Sequence, residues 1–230
     1  MRLFLSAFAL AAMAAPSAAP AQPAGAAQRD WSRSVVPTAE GGFRMGNPNA
    51  PVKLVEYGSL TCPHCAHFAK DGFPPLVGNY VKSGKVSFEF RNLVLNGIDG
   101  IAALLSRCAG PASYFRVTES LFASQAEWAG KIGQVSEPER NRIKALAQPD
   151  QFLAIAEVSG MLTTAARSGM TKAKARQCFA DVKGQEKLTA MAKAAGEMGI
   201  TGTPAFLING GKVDAHEWSE LEPLIRKAGG

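Results

Sequence analysis

Cysteine is scarce in this chain: four residues in 230, too few for the disulfide-dense scaffolds of small secreted domains. Histidine is scarcer still. His64, His67 and His216 do not combine with the cysteines into the four-ligand spacing of a structural zinc site, so no metal is expected. Beyond the N-terminal segment there is no apolar run long enough to span a bilayer, and there is no internal repeat. Charge of one sign is not concentrated either. The net charge is +6, but the basic residues are dispersed. Their densest group, Lys172, Lys174, Arg176, Lys183 and Lys187, has helical spacing and reads as a solvated face. No nucleic-acid partner is expected. An apolar content of 47% with 19% charge is an ordinary globular balance, so disorder is not the default reading except at the N-terminus.

The first 27 residues have the make-up of a cleaved secretory signal. Arg2 supplies the positive start, residues 3–15 are apolar, and Ala19-Pro20-Ala21 and Ala24-Gly25-Ala26 are small-x-small cleavage sites. The apolar stretch is too short for a membrane anchor, which needs roughly 20 apolar residues. The expectation is an exported, soluble mature protein.

Residues 28–50 are rich in Gly, Pro and Ala and read as a linker and approach segment. Residues 52–57, β-branched and bounded by Pro51 and Gly58, predict a strand. A helix is expected from the Thr61-Cys62-Pro63 run to about residue 81, kinked or restarted at Pro74-Pro75. A second strand is expected over 86–95, completing a β-α-β unit with parallel strands. Residues 51–95 thus form one part of an α/β domain. Residues 96–197 show only helical periodicity and read as an inserted helical domain. Residues 198–230 return to the α/β domain with a strand at 204–208, an Asn209-Gly210-Gly211 turn, a partner strand at 212–215 and a closing helix at 217–227.

The chemistry concentrates in Cys62-Pro63-His64-Cys65. Here a strand ends and a helix begins. A cysteine at a helix N-terminus meets free N–H groups and the positive end of the macrodipole, which favour its thiolate. Pro63 suits the first helical position, where no N–H is needed. A protonated His64 would add a positive neighbour. Residues i and i+3 share a helix face, with Cα atoms about 5–6 Å apart, within the span of a disulfide. Cys62 is then the exposed attacking sulfur and Cys65 the resolving one. A thiolate stabilised in this way makes the disulfide a stronger oxidant. A plain structural disulfide and half a zinc site are the competing readings.

The run Val55-Glu56-Tyr57-Gly58-Ser59-Leu60-Thr61-Cys62-Pro63-His64-Cys65, followed far downstream by Gly202-Thr203-Pro204, resembles the DsbA family of thioredoxin-fold oxidoreductases. The resemblance covers residues 51–227 and implies an α/β thioredoxin fold with an inserted helical domain. It implies that Pro204 is a cis-proline lying against the cysteines and that Thr203 presents its backbone to an extended substrate. It also implies that Glu56 is an acid buried beneath the site, able to take the proton of Cys65; an exposed strand-face glutamate is the alternative. The implied protein is a periplasmic oxidase that introduces disulfides into unfolded exported polypeptides. It would need no cofactor beyond its redox-active disulfide and would be reoxidised by a DsbB-like, quinone-linked membrane partner.

Cys108 and Cys178 depart from the best-known members, although some relatives carry a second pair in this region. An oxidising compartment favours a bond between them. Closing a loop of about 70 residues, it would contribute on the order of 4 kcal/mol in the chain-entropy model. Two buried free thiols are the alternative. Two other functions compete with the oxidase. Thr203 leans towards an isomerase or reductase, but the short approach segment leaves no room for a dimerisation domain, so a monomer is expected. The other competitor is a non-catalytic peptide-binding or chaperone module.

Overall fold

The computed structural model describes residues 29–230, so the expected signal segment at 1–27 lies outside the described residues. At the centre is a six-stranded mixed sheet in the order β1-β2-β4-β3-β5-β6. Its strands are β1 (Val35–Pro37), β2 (Phe43–Gly46), β3 (Val52–Gly58), β4 (Val86–Asn92), β5 (Ala205–Ile208) and β6 (Gly211–Val213). β3 and β4 are parallel, with Val52 opposite Val86 and Gly58 opposite Asn92, as a β-α-β crossover requires. The other pairs are antiparallel.

The segment 28–50, expected as a linker, instead adds β1 and β2 to the sheet edge. Phe43 and Met45 alternate with Arg44 and turn into the core, a period-2 pattern only four residues long and easily lost among glycines. At the other edge the Asn209-Gly210 turn joins β5 to β6. Both residues have positive φ, 50° and 84°, as the tight hairpin turns favoured by Asn-Gly require.

The crossover between β3 and β4 begins with α1 (Pro63–Asp71). It stops at Gly72 and restarts as α2 (Phe73–Pro75), which runs into a π-helical turn at Leu76–Val81. The interruption falls where Pro74 and Pro75 remove two backbone donors.

The insertion consists of α3 (Gly97–Cys108), α4 (Tyr114–Ala123), α5 (Gln125–Gln134), α6 (Glu137–Lys144), α7 (Asp150–Ser159), α8 (Met161–Ala166), α9 (Lys172–Phe179) and α10 (Val182–Glu197), and α11 (Trp218–Lys227) closes the chain. α5 and α6 escape the sequence pattern because each buries a single side chain, Trp128 or Ile143, and so has almost no apolar stripe. The main core joins the two parts. Leu54, Phe68, Phe88 and Phe206 of the α/β domain are continuous with Leu105, Tyr114 and Leu121 of the insertion. In the basic group, Lys172 pairs with Glu157 at 2.5 Å and Arg176 with Asp150 at 2.6 Å, neutralising part of that face. Among the described residues no helix is long and apolar enough to cross a membrane.

Candidate active site

Cys62 is the N-cap of α1 and Pro63 its first residue. The loop before it is a tight turn in which the Cys62 N–H donates to the Ser59 carbonyl at 3.1 Å. Neither sulfur is bonded to the other, and both are buried: Cys62 is 7% exposed and Cys65 0%. The expected exposed position of Cys62 is therefore corrected. The Thr203–Pro204 segment, with its peptide bond cis, lies over it, and the Cys62 thiol donates to the Thr203 carbonyl at 3.2 Å. Pro204 is buried and Thr203 half-buried.

The two thiols are driven in opposite directions. Cys62 is lowered from 9.0 to about 5. The chief cause is the hydrogen bond from Cys65. The Thr203 side chain and the backbone N–H groups of Cys65 and His64 add to it, against a burial that works the other way. Thr203 Oγ1 is buried with no partner in the thiol form, so its hydroxyl is free to donate to the thiolate. Cys65 is pushed far up, first by burial, then by its bond to Cys62 and by the negative charge of Glu56. His64 contributes through its backbone N–H; its ring is exposed to solvent, not held against the sulfur. His67 pairs with Asp71 at 3.2 Å on the outer face of α1.

Glu56 is 2% exposed. Strand alternation explains this, since Val52, Leu54 and Glu56 share the face of β3 that meets the core. Glu56 Oε1 has no hydrogen-bond partner, and its proton affinity is raised well above the usual carboxylate range. Burial is the main cause, followed by the charges of Glu119 and Cys62. Gly58 keeps room for this carboxyl: a Cβ there would lie 3.0 Å from Glu56 Oε1 and 2.5 Å from Phe90 Cε2.

Three further residues complete the surroundings, none of them singled out by the sequence pattern. Glu119 of α4 is raised to about 8 by burial and lines a hollow under α1 with Pro63 and His67. Asp99 of α3 accepts from the Leu60 N–H at 2.8 Å and the Leu95 N–H at 2.9 Å. The Gln125 side-chain amide of α5 donates to the carbonyls of Leu60 at 2.8 Å and Cys62 at 3.0 Å. Only Asp99 had a local signal, as an acid in the first turn of a helix capped by Asn96.

Cys108 at the end of α3 and Cys178 in α9 are joined by a disulfide with Cα atoms 6.0 Å apart. Both are half-buried. Among the described residues no group of three or more His, Cys, Asp or Glu side chains is placed to hold a metal ion.

A family model described as thioredoxin matches residues 38–227. A Rickettsia bellii protein named as a protein-disulfide oxidoreductase is 26% identical over 189 residues. That match takes in 80% of this chain and 63% of the relative, so the chain spans a little over three fifths of that protein's length. Disulfide bond formation protein D of Bacillus subtilis is 33% identical over 110 residues, 44% of this chain and 50% of the relative. Among solved structures, a protein-disulfide isomerase from Novosphingobium aromaticivorans superposes with a TM-score of 0.73 at 31% identity, covering 81% of this chain and 97% of that one. Wolbachia pipientis alpha-DsbA1 gives 0.66 at 25% identity, covering 84% and 93%. The sheet, the inserted helices and the match over residues 38–227 make the chain a member of the thioredoxin family, of the DsbA type.

Proposed function

We propose that the chain is a thiol–disulfide oxidoreductase that introduces disulfides into exported proteins in the periplasm. The observation that carries this reading is the opposed acidity of two sulfurs in one motif, Cys62 lowered to about 5 and Cys65 raised. In the oxidised enzyme a substrate thiolate attacks Cys62 Sγ. The Cys62–Cys65 bond breaks, its electron pair goes to Cys65, and Glu56 supplies the proton that makes Cys65 a neutral thiol. A second substrate thiolate then attacks the substrate sulfur of the mixed disulfide, and Cys62 leaves as its stabilised thiolate. The substrate is oxidised by two electrons and the enzyme reduced by two. A quinone-linked membrane partner of the DsbB kind returns it to the disulfide.

The groove beside Thr61, with Ile98, Trp128, Ile132, Phe152 and Ile155 along it, supports unfolded chain with apolar side chains as the substrate class. The signal-like residues 1–27 support export. A monomer without a bound cofactor suffices for this chemistry, and the roles of Cys62, Pro63, His64, Cys65, Glu56, Thr203 and Pro204 belong to the proposal.

The test is oxidation of a reduced two-cysteine peptide by stoichiometric oxidised enzyme. Rapid oxidation is expected, with none after Cys62→Ser or Cys65→Ser, because neither variant can hold the oxidising disulfide; mixed with the oxidised peptide instead, Cys65→Ser should trap a mixed disulfide through Cys62. A peptide-binding or chaperone role would instead survive Cys62→Ser. A second reading, isomerase or reductase, is favoured by Thr203 and by the name of the Novosphingobium neighbour. A Cys62–Cys65 potential near the thioredoxin value of about −270 mV would select it over the oxidase.

A further inference from the structure

The helical insertion reaches into the loop that carries Cys62 at two points. Leu60, fully buried two residues before it, is held at both ends: its N–H donates to Asp99 of α3 and its carbonyl accepts from Gln125 of α5. The second N–H of the same Gln125 amide goes to the Cys62 carbonyl, which is also the first acceptor of α1, taking the Ala66 N–H at 3.2 Å. One side chain of the insertion thus uses both its donors on the two carbonyls that flank Thr61. Rotation of either carbonyl would turn the Cys62 peptide and swing Sγ away from the N–H groups of His64 and Cys65 and from Thr203.

We propose that Gln125 is a positioning residue through which the helical insertion sets the thiolate character of Cys62, with Asp99 anchoring the other end of Leu60. The inserted domain is then part of the active site's electrostatic frame as well as a cover over the sheet. Two backbone carbonyls pointed at one another's neighbourhood repel unless a donor stands between them, and Gln125 is that donor. A carboxylate of the same length would present oxygen to oxygen.

This inference rests on Cys62 being the reactive thiolate, and its test separates the two ideas. The thiolate midpoint of Cys62 is followed by ultraviolet absorbance and by the pH dependence of iodoacetamide alkylation in the parent, Gln125→Met and Gln125→Glu, each checked for folding by urea unfolding. A parent midpoint in the ordinary thiol range would overturn the reading of Cys62 itself. With a low parent midpoint, Gln125→Met is expected to move it up by about one unit, a tenfold loss of thiolate at pH values well below the parent midpoint. Gln125→Glu should move it further. A role confined to packing would change the urea midpoint and leave the titration in place. Folded Gln125→Met with the parent's titration would overturn the proposal, and that variant decides alone if Gln125→Glu does not fold.

Discussion

The lowered acidity of Cys62 makes the relative stability of the reduced and oxidised proteins depend on pH. The perturbation is reduction of Cys62–Cys65 followed by a pH change. Only the reduced form has a thiol to titrate. Its folded value is about 5 against an ordinary 9.0. A group whose value is depressed by folding contributes stability in full above the unfolded value and loses it as pH falls through the folded one. The window is therefore pH 5 to 9. At pH 7 the full shift corresponds to about 2.7 kcal/mol in favour of the reduced fold. Cys62 lies close beneath the surface, and screening by solvent trims this to about 2 kcal/mol, equivalent to about 45 mV in the two-electron couple. Cys65 does not enter below pH 9, because its raised value keeps it neutral in both states. Glu119 is raised by burial in either redox form, whereas the Cys62 thiolate that helps raise Glu56 exists only in the reduced one. Urea unfolding of both forms at pH 5, 6, 7 and 8 measures the effect. The stability of the reduced form relative to the oxidised one should rise by about 1 kcal/mol per pH unit across that range. In Cys62→Ser, compared with the oxidised parent, the rise should vanish. A difference constant to within about 0.3 kcal/mol, near the scatter of additive free energies, would refute the reasoning.

Other perturbations are as direct. Replacing Cys108 and Cys178 together by serine removes a crosslink with a sequence separation of 70 residues. It should cost about 4 kcal/mol in the chain-entropy model, read as a lower urea midpoint, with the Cys62–Cys65 couple still active on peptide. Gly58→Ala drives a methyl into Phe90, and a loss of about 1–3 kcal/mol is expected from overpacking; a parent-like midpoint would mean that Phe90 moves freely. Glu56→Gln removes the acid that protonates Cys65 as it leaves, so formation of the mixed disulfide should slow by about 10²-fold or more while its release by a second substrate thiolate continues, which stopped-flow mixing with a peptide separates. Glu119→Gln should lower the titration midpoint of Glu56, since the charge of Glu119 is second only to burial in raising it; an unmoved carboxyl signal in infrared difference spectra would count against that coupling.

What the sequence shows most clearly is whatever one local pattern encodes. The strand at Val52–Gly58, the helix start at Pro63, the restart near Pro74 and the Asn209-Gly210 turn each follow from the conformational limits of a few adjacent residues. Partners across the chain are harder to see. Gln125 opens a helix with a single buried side chain, and it matters because α5 lies against a loop 63 and 65 residues earlier. Glu119 sits in an apolar-spaced helix where an acid ordinarily faces water; the packing of α4 beneath α1 leaves it half-buried. The strand at Phe43–Gly46 is stabilised by pairing to β4 and that at Val35–Pro37 by pairing to β2, not by their own composition.

The same division explains why the motif alone leaves the direction of exchange open. Four residues determine that Cys62 caps a helix, and any helix N-terminus would favour its thiolate. The further lowering to about 5 comes from Cys65, from the Thr203 side chain and from N–H groups held in line, and their alignment depends on contacts far along the chain. Beneath the pair the effect reverses. Glu56 is buried and Glu119 half-buried, each more easily protonated because of its withdrawal from water, and the charge of Glu56 helps keep Cys65 neutral. Oxidising strength then depends on how far these two environments stay apart. A variant that lets water reach Glu56 should ionise it and raise Cys65 further. One that loosens Thr203 or Gln125 should raise Cys62 directly and so weaken the enzyme as an oxidant.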